Sequence, residues 1–557
     1  MKKNYRILLP SLMFFTAFSL SAEETLPSSE SEQLLLPEVT TSVSGDSIET
    51  SKDALPDFST ILPDTEKMEN ILPLLPGVEL DTGSDEYEAD LGYEEDKSLF
   101  VRGYLGGGYP RLFSGDFSLD KSSGNNPFKI QFSHFSASGY GEKSVSEGYF
   151  DGKTLLYGEK TFSSENLKAE IFADYETLNT GFQQKSPVFF DTTSQGLSTG
   201  GNILWKLPYG FSISGNAFGE WYSRYGGIKD SSAALHSSID DDAETLILSP
   251  EIIFSWAYSG FYADITSSYT YETFIGSANL ADSASGGSFI HRGDFALDLG
   301  WKNKNLDFKG NVGAVVGNKI GEARALVPFD LSFKGNWELG SDGRNLLVEV
   351  KGGLDSYLSG YSELEKNYLF VSQNYLPGES SDWFAELYAG LPIVSDFNLD
   401  LSASFAKTAF GNGVWEADYS APDPSGLYEL KQYERTAFDS DIELSYRYKL
   451  AVFSAGWISH WIHVPSTESP FLVKLRIDLQ AENGKWGGSL EGRECISSGD
   501  YVPFLDASAF YRFRENLSIE LDIEDAVKIF SGANRNYASS IYAQRGGSAS
   551  LKFKFSF

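Results

Sequence analysis

A single cysteine, Cys495, occurs in the 557 residues, so no internal disulfide can hold this chain together. Histidine is also scarce: His134, His236, His291, His460 and His463 are scattered and form no helical metal-binding pair. His460 and His463 stand three apart on an expected strand and so point to opposite faces. Basic charge is short too, with 44 Lys and Arg against 78 Asp and Glu. The resulting net charge of −34 excludes a nucleic-acid surface, because a phosphate backbone needs a basic face. After the first residues there is no run of about 20 apolar side chains, which excludes a helical membrane protein. Gly106 to Gly108 and the glycines at 340 and 343 lack the lysine of a phosphate-binding loop, and no Gly-x-Ser-x-Gly elbow is present. These absences predict neither an enzyme nor a resident cofactor or metal. Asp240, Asp241, Asp242 and Glu244 lack a calcium-loop spacing and read as a solvated acidic loop.

What the chain does have begins at its first residue. Lys2, Lys3 and Arg6, the apolar stretch Ile7 to Leu20 and the small pair Ser21 and Ala22 make residues 1–22 a secretory signal. The stretch is too short, and too directly followed by Glu23 and Glu24, to stay as a spanning helix. Residues 23–97 hold 21 Asp or Glu and 3 Lys among Ser, Thr and Pro. That composition cannot bury a core, so an acidic, mostly disordered segment is expected there.

From Ser98 the character changes to alternation of apolar and polar residues, the period that sends one set to each face of a strand. Phe397, Leu399, Leu401, Ala403 and Phe405 alternate with Asn398, Asp400, Ser402 and Ser404; Leu517 to Glu524 and Ala549 to Phe557 repeat the pattern. Tight links are expected at Ser163 to Asn166, Pro208 to Gly210, Ser259 and Gly260, Lys302 to Asn305, Val394 to Phe397, Asn483 to Lys485, and Glu515 and Asn516. Between them lie long polar stretches: Gln183 to Ser194, Tyr225 to Asp242, Phe274 to Ile290, Ser359 to Ser381, Gly411 to Tyr433 and Ser531 to Gln544. Short turns alternating with long loops are what a membrane barrel requires. A soluble propeller would need a fixed repeat length, which is absent. Residues 98–557 are therefore expected to form an all-β, antiparallel, up-and-down transmembrane β-barrel of about 22 strands.

A sheet in lipid must close on itself, because an unpaired backbone group has no water to bond. Its inward face then meets an aqueous lumen. Charged residues at alternating positions, Glu443, Arg447, Lys474, Arg476, Asp522 and Glu524, are the lumen-facing candidates, with Asp441, Lys449 and Asp478 beside them. Trp205, Trp221, Trp256, Trp301, Trp457 and Trp461 stand where interface girdles would, although each also fits ordinary packing. The chain ends on an alternating strand carrying Phe553, Phe555 and Phe557. This end resembles the C-terminal signal by which barrels are recognised for outer-membrane insertion, which implies the barrel assembly machinery and outer-membrane lipid as partners.

The strand number, with short turns after the even strands, resembles the barrel of TonB-dependent receptors. VRGYLGGGYPRL from Val101 to Leu112 and PFKIQFSHFSASGYGE from Pro127 to Glu142 resemble a plug-poor group of such proteins. The 75 residues of 23–97 are too few for the family's globular plug. Within them Pro37, Glu38, Val39, Thr40, Thr41 and Ser42 resemble the short box that pairs with a TonB-like periplasmic protein; the alternative is an acidic tether that occupies the lumen or docks another periplasmic partner. The resemblance implies a diderm outer membrane, the N-terminal segment in the periplasm, and transport. Three functions follow as expectations: a porin-like transport barrel, an energised receptor, or a structural barrel that displays loops or docks a partner.

Overall fold

The computed structural model describes residues 99–557, apart from 122–125, 141–142, 230–242, 275–288, 321–324, 340–343, 369, 373–375, 395, 463–468, 496–502 and 532–539. The secretory signal, the acidic segment with Pro37 to Ser42, His236, His463 and Asp240 to Asp242 lie outside the described residues.

The strands run β1 (Leu99–Tyr109), β2 (Leu112–Lys121), β3 (Phe128–Ser138), β4 (Phe150–Ser163), β5 (Leu167–Gly181), β6 (Phe189–Lys206), β7 (Phe211–Ile228) and β8 (Ala243–Tyr258). They continue as β9 (Phe261–Phe274), β10 (Phe289–Lys302), β11 (Leu306–Gly317), β12 (Ala325–Leu326), β13 (Phe329–Leu339), β14 (Arg344–Tyr357), β15 (Ser380–Val394) and β16 (Phe397–Phe410). After the hairpin β17 (Val414–Asp418) and β18 (Glu429–Tyr433) come β19 (Thr436–Tyr448), β20 (Ala451–Ile462), β21 (Phe471–Gln480), β22 (Trp486–Cys495), β23 (Phe504–Arg514), β24 (Leu517–Glu524) and β25 (Ser548–Ser556).

Neighbours in sequence pair antiparallel around the sheet, and β25 returns to pair with β1 over Arg102↔Ser556 to Tyr109↔Ala549. The last residue completes the seam: the Phe557 amide donates to the Val101 carbonyl at 2.7 Å, and the Val101 amide donates back at 2.8 Å. Both β12 and β13 lie on β11, so they form one span interrupted at Val327 and Pro328, where proline has no amide to give to the ladder. The hairpin β17–β18 is a separate two-stranded sheet inserted between β16 and β19, which pair directly. The result is a closed barrel of 22 strands.

The connections fall into two sets. At one end, which holds the start of β1 and the C-terminus, the links are 122–127, 164–166, 207–210, 259–260, 303–305, 340–343, 395–396, 449–450, 481–485 and 515–516. The other end carries the longer loops, chiefly 139–149, 229–242, 275–288, 358–379, 411–435 and 525–547. Some expected boundaries move. The loop expected over Gln183 to Ser194 ends at Val188, since β6 already pairs from Phe189; Tyr225 to Ile228 belong to β7, and 411–433 contains the hairpin. At the long-loop end the side chains of Phe189 and Ile228 join the dry packing of the loops, a bulge breaks the register between Phe189 and Asp191, and the alternation that marks a strand fades. Lys449, expected on the strand with Arg447, stands in the two-residue turn at φ 53°.

The outward face is an apolar band in which Leu105, Leu331 and Leu475 are 60%, 70% and 58% exposed. A continuous apolar belt of this kind faces hydrocarbon rather than water. Trp205, Trp256 and Trp301 line its short-turn edge, with Phe211, Phe261 and Tyr258 around them. Toward the other end the indoles find polar partners on the outer surface: Trp221 donates to Glu244 at 2.6 Å and Trp461 to Ser440 at 2.8 Å. The band makes a direct prediction. Ile265, outward on β9 between Phe254 and Leu297, replaced by Arg should cost about 2–4 kcal/mol in unfolding titrations of the lipid-inserted barrel. Ser268→Arg on the inward face of the same strand, beside Asp294 and Glu251, should cost far less.

Candidate functional site: the lumen and its mouth

Alternation assigns each strand an inward set, and the register shows which charges meet. On the wall made by β21 to β25 the charges are paired. Lys474 lies 3.6 Å from Glu491; Arg476 bonds Asp478 at 2.8 Å and reaches Glu491 at 3.5 Å. Asp522 is 2.6 Å from Lys552, and Lys554 is 2.6 Å from Glu520. Glu524 accepts from Ser548 at 2.9 Å, with Arg545 3.8 Å away. Glu443 and Arg447 point inward on β19, alternating with the exposed Leu444, Tyr446 and Tyr448. The six residues singled out in the sequence thus stand on the lumen side. Lys474 and Arg476 are brought together through Glu491, and the register sets Glu443 across Gly456 from Lys474; Asp522 and Glu524 sit one above the other on β24, and Arg447 is at the short-turn end.

The wall made by β14, β15, β16 and β19 is different. The register sets Asp355 opposite Asp382 and Asp400 opposite Glu443, with Glu386 and Asp441 on the same face. Like charges directly across a sheet repel unless cations or water screen them. Arg435 holds Asp382 at 3.0 Å, and Tyr388 donates to Asp400 at 2.9 Å. Carboxylates outnumber the cations set among them, so this side of the lumen carries a negative field.

Phe553, Phe555 and Phe557 point outward from β25, and the Phe555 and Phe557 rings lie 6.0 Å apart beside the closing seam.

The long-loop mouth holds a feature that sequence reading missed. The described residues of 182–188, 358–379, 411–435 and 525–547 fold inward and pack on one another. Phe182, Val188, Tyr361, Leu364, Phe370, Val371, Ala417, Tyr419, Leu427, Tyr428, Leu430 and Tyr542 form a single buried cluster, joined by Phe189, Ala243, Phe274 and Ile290 from the rim. Phe370 stacks on Tyr542 at 3.9 Å and 11°, and both meet Phe182 edge-on. Such aromatic contacts each add about 0.5–1.5 kcal/mol beyond the area they bury. They hold Phe370 in the left-handed region at φ 59°, a conformation unfavourable for a bulky side chain.

Hydrogen bonds tie the loops together across long sequence distances. Gln183 exchanges two with Ala543, at 2.7 and 2.6 Å; Ser186 donates to the Ser425 carbonyl and Tyr542 to the Gly426 carbonyl. Gly426 has φ 88°, and a Cβ there would lie 2.8 Å from the Ser186 Cα, so only glycine lets the two loops approach.

Within this cap, the helix α1 (Tyr361–Asn367) sits against β7 and β9. Arg224 of β7 pairs with Glu365 at 2.9 Å, the two side chains being 8% and 0% exposed. Glu220 accepts from Lys366 and from the Ser362 hydroxyl, both at 2.5 Å. Glu272 of β9 accepts from the Ser362 amide at 2.7 Å. A Cβ on Gly360 would sit 2.1 Å from the Glu272 carboxylate, so the glycine makes room for that contact. Burial of the helix pushes the Glu363 carboxyl above its ordinary range, and burial together with the nearby Glu272 pushes the Tyr361 phenol up to about 12. The anchor pairs join residues 90 to 146 positions apart, which no local pattern reveals; the signal available was the three-residue spacing of Tyr361 and Leu364 on one helix face.

If the cap is one packed unit, Tyr542→Ala should loosen all four loops together at a cost of about 3–5 kcal/mol to the cap. Amide exchange at 182–188 and 426–430 should rise, while the barrel strands keep their protection.

No family model matches this sequence, and no curated protein is similar to it. Among solved structures the fold is similar to the copper transporter OprC, with a TM-score of 0.63 at 9% identity over 83% of this chain and 84% of that one. The FrpB iron transporter from Neisseria meningitidis (F5-1 variant) gives 0.61 at 11% identity, covering 83% of each chain. A mutant form of the ferric enterobactin receptor PfeA from Pseudomonas aeruginosa gives 0.59 at 9% identity, over 83% of this chain and 80% of that one. At 9–11% identity this likeness shows a shared barrel fold.

Proposed function

We propose that this chain is an outer-membrane transport barrel that takes up small solutes through its polar lumen, with the long-loop end facing the exterior and the short-turn end facing the periplasm. The observation that carries this reading is the closed sheet with an apolar outer belt and a charged inner face, an arrangement that separates water from lipid. It is supported by the likeness in fold to copper, iron and siderophore transporters and receptors. The acidic segment joins β1 at the short-turn end, so in this orientation it starts in the periplasm, where Pro37 to Ser42 would meet a TonB-like protein.

The cap favours one version of the function over another. An open porin needs an unobstructed mouth, whereas here four loops lock over the opening; a gated or receptor-type barrel fits better. The carboxylates on β14, β15, β16 and β19 favour positively charged solutes. The structural alternative, a barrel that only displays loops or docks a periplasmic partner, predicts no flux under any condition.

Two measurements test this reading. In planar bilayers, the mature chain and a version beginning near Ser98 should both insert, and whatever current flows should reverse near the cation potential, with cations carrying several-fold more than anions. A rise in conductance on truncation alone would make the acidic segment the plug. In cells, altering Pro37 to Ser42 should abolish energised uptake; unchanged uptake would rule out the TonB-like partner at that box.

A further inference from the structure

We propose that α1 is a releasable stopper, and that the ion pairs holding it to the wall are the latch that keeps the exterior mouth shut. The inference rests on the transport reading, and goes beyond it by naming which contacts hold the channel closed.

The loops cohere through the dry cluster around Phe370, Tyr428 and Tyr542, which gains nothing from being broken. Where α1 meets β7 and β9, the contacts are mostly charged. Arg224 grips Glu365 and also donates to the Val371 carbonyl at 3.1 Å; Glu220 holds Lys366 and Ser362; Glu272 holds the start of the helix. Apolar contact joins them there too: Phe274 lies against Tyr361 with ring centres 5.2 Å apart, and Ala243 and Ile290 of the neighbouring strands belong to the same dry cluster. The seat of α1 on β7 and β9 therefore adds ion pairs to the dry contact that runs through the cap onto the rim, and those pairs are the part of the attachment that water can replace.

A buried ion pair is the right device for such a joint. Its net stabilisation is small, because desolvation offsets the attraction, but losing one partner leaves a buried charge with nothing to balance it. Arg224 and Glu365 are each supplied by a different part of the closed state, one by the wall and one by the stopper. Separating them in an aqueous lumen lets both hydrate, so the open state tolerates the change that the closed state does not.

The test is single-channel recording of the full mature chain in planar bilayers. Barrel folding is checked for each variant by heat-dependent migration on gels. Glu365→Ala should raise the open fraction at least tenfold over the native protein, because it takes the carboxylate away from the buried Arg224 guanidinium. Replacing both partners, Arg224→Met with Glu365→Met, should restore the closed state, because an apolar pair of similar volume fills the joint without charge. A variant lacking residues 361–372 should conduct freely and serves as the open reference. If the deletion conducts but Glu365→Ala stays shut, the latch is wrong and the transport reading stands. Opening by Glu365→Ala that the double methionine variant fails to reverse would make the effect one of packing and would also overturn the latch. Silence from a folded, inserted deletion variant, in the full mature chain and in one beginning near Ser98 alike, would overturn the transport reading, and the latch with it.

Discussion

Every part of this molecule depends on the rule that a backbone crossing hydrocarbon must bond to itself. Twenty-two strands satisfy that rule only if the first meets the last, and here the meeting includes the final residue, whose amide and carbonyl both bond Val101. Closure removes the sheet edges and sorts side chains by parity into a lipid set and a lumen set. The same alternation that makes Leu551, Phe553 and Phe555 a greasy stripe makes Lys552 and Lys554 partners for Asp522 and Glu520 inside.

A barrel of this size encloses more space than its wall side chains fill, so the mouth needs a separate solution. The chain supplies it with loops. Four of them build a small dry core of their own over the opening, complete with a strained Phe370 and a glycine that only a close approach explains. That dry core runs onto the rim through Phe189, Ala243, Phe274 and Ile290, and ion pairs from β7 add to the hold on the helix Tyr361–Asn367.

The acidic lumen wall bears on the 23–97 segment as well. A segment with 21 carboxylates and 3 lysines gains little from entering a lumen whose β14 to β19 side already sets Asp355 against Asp382 and Asp400 against Glu443. The lysines and arginines of the β21 to β25 wall are engaged by their own carboxylates. Charge complementarity thus gives that segment little to hold it against this wall.

Much of the barrel was legible because period-two alternation and turn residues are local signals. Leu517 to Glu524 declared both of its faces within eight residues, and Ser259 and Gly260 or Glu515 and Asn516 marked turns by composition. The boundaries slipped mainly near the long-loop end, at Phe189 to Ser194 and Tyr225 to Ile228, where the inner side chains pack on loops and a bulge interrupts the period, and once at the short-turn end, where Lys449 belongs to the turn. The lumen side of Glu443, Lys474 or Asp522 could be read from parity, but their partners could not. The amino-acid sequence by itself determined the strands, their faces and the need to close, because each follows from neighbours a few residues apart. Only the tertiary structure decided that Arg224 meets Glu365, that Gln183 meets Ala543 and that loops from distant hairpins share one core, because those contacts depend on where a closed ring of strands carries residues that are far apart in the chain.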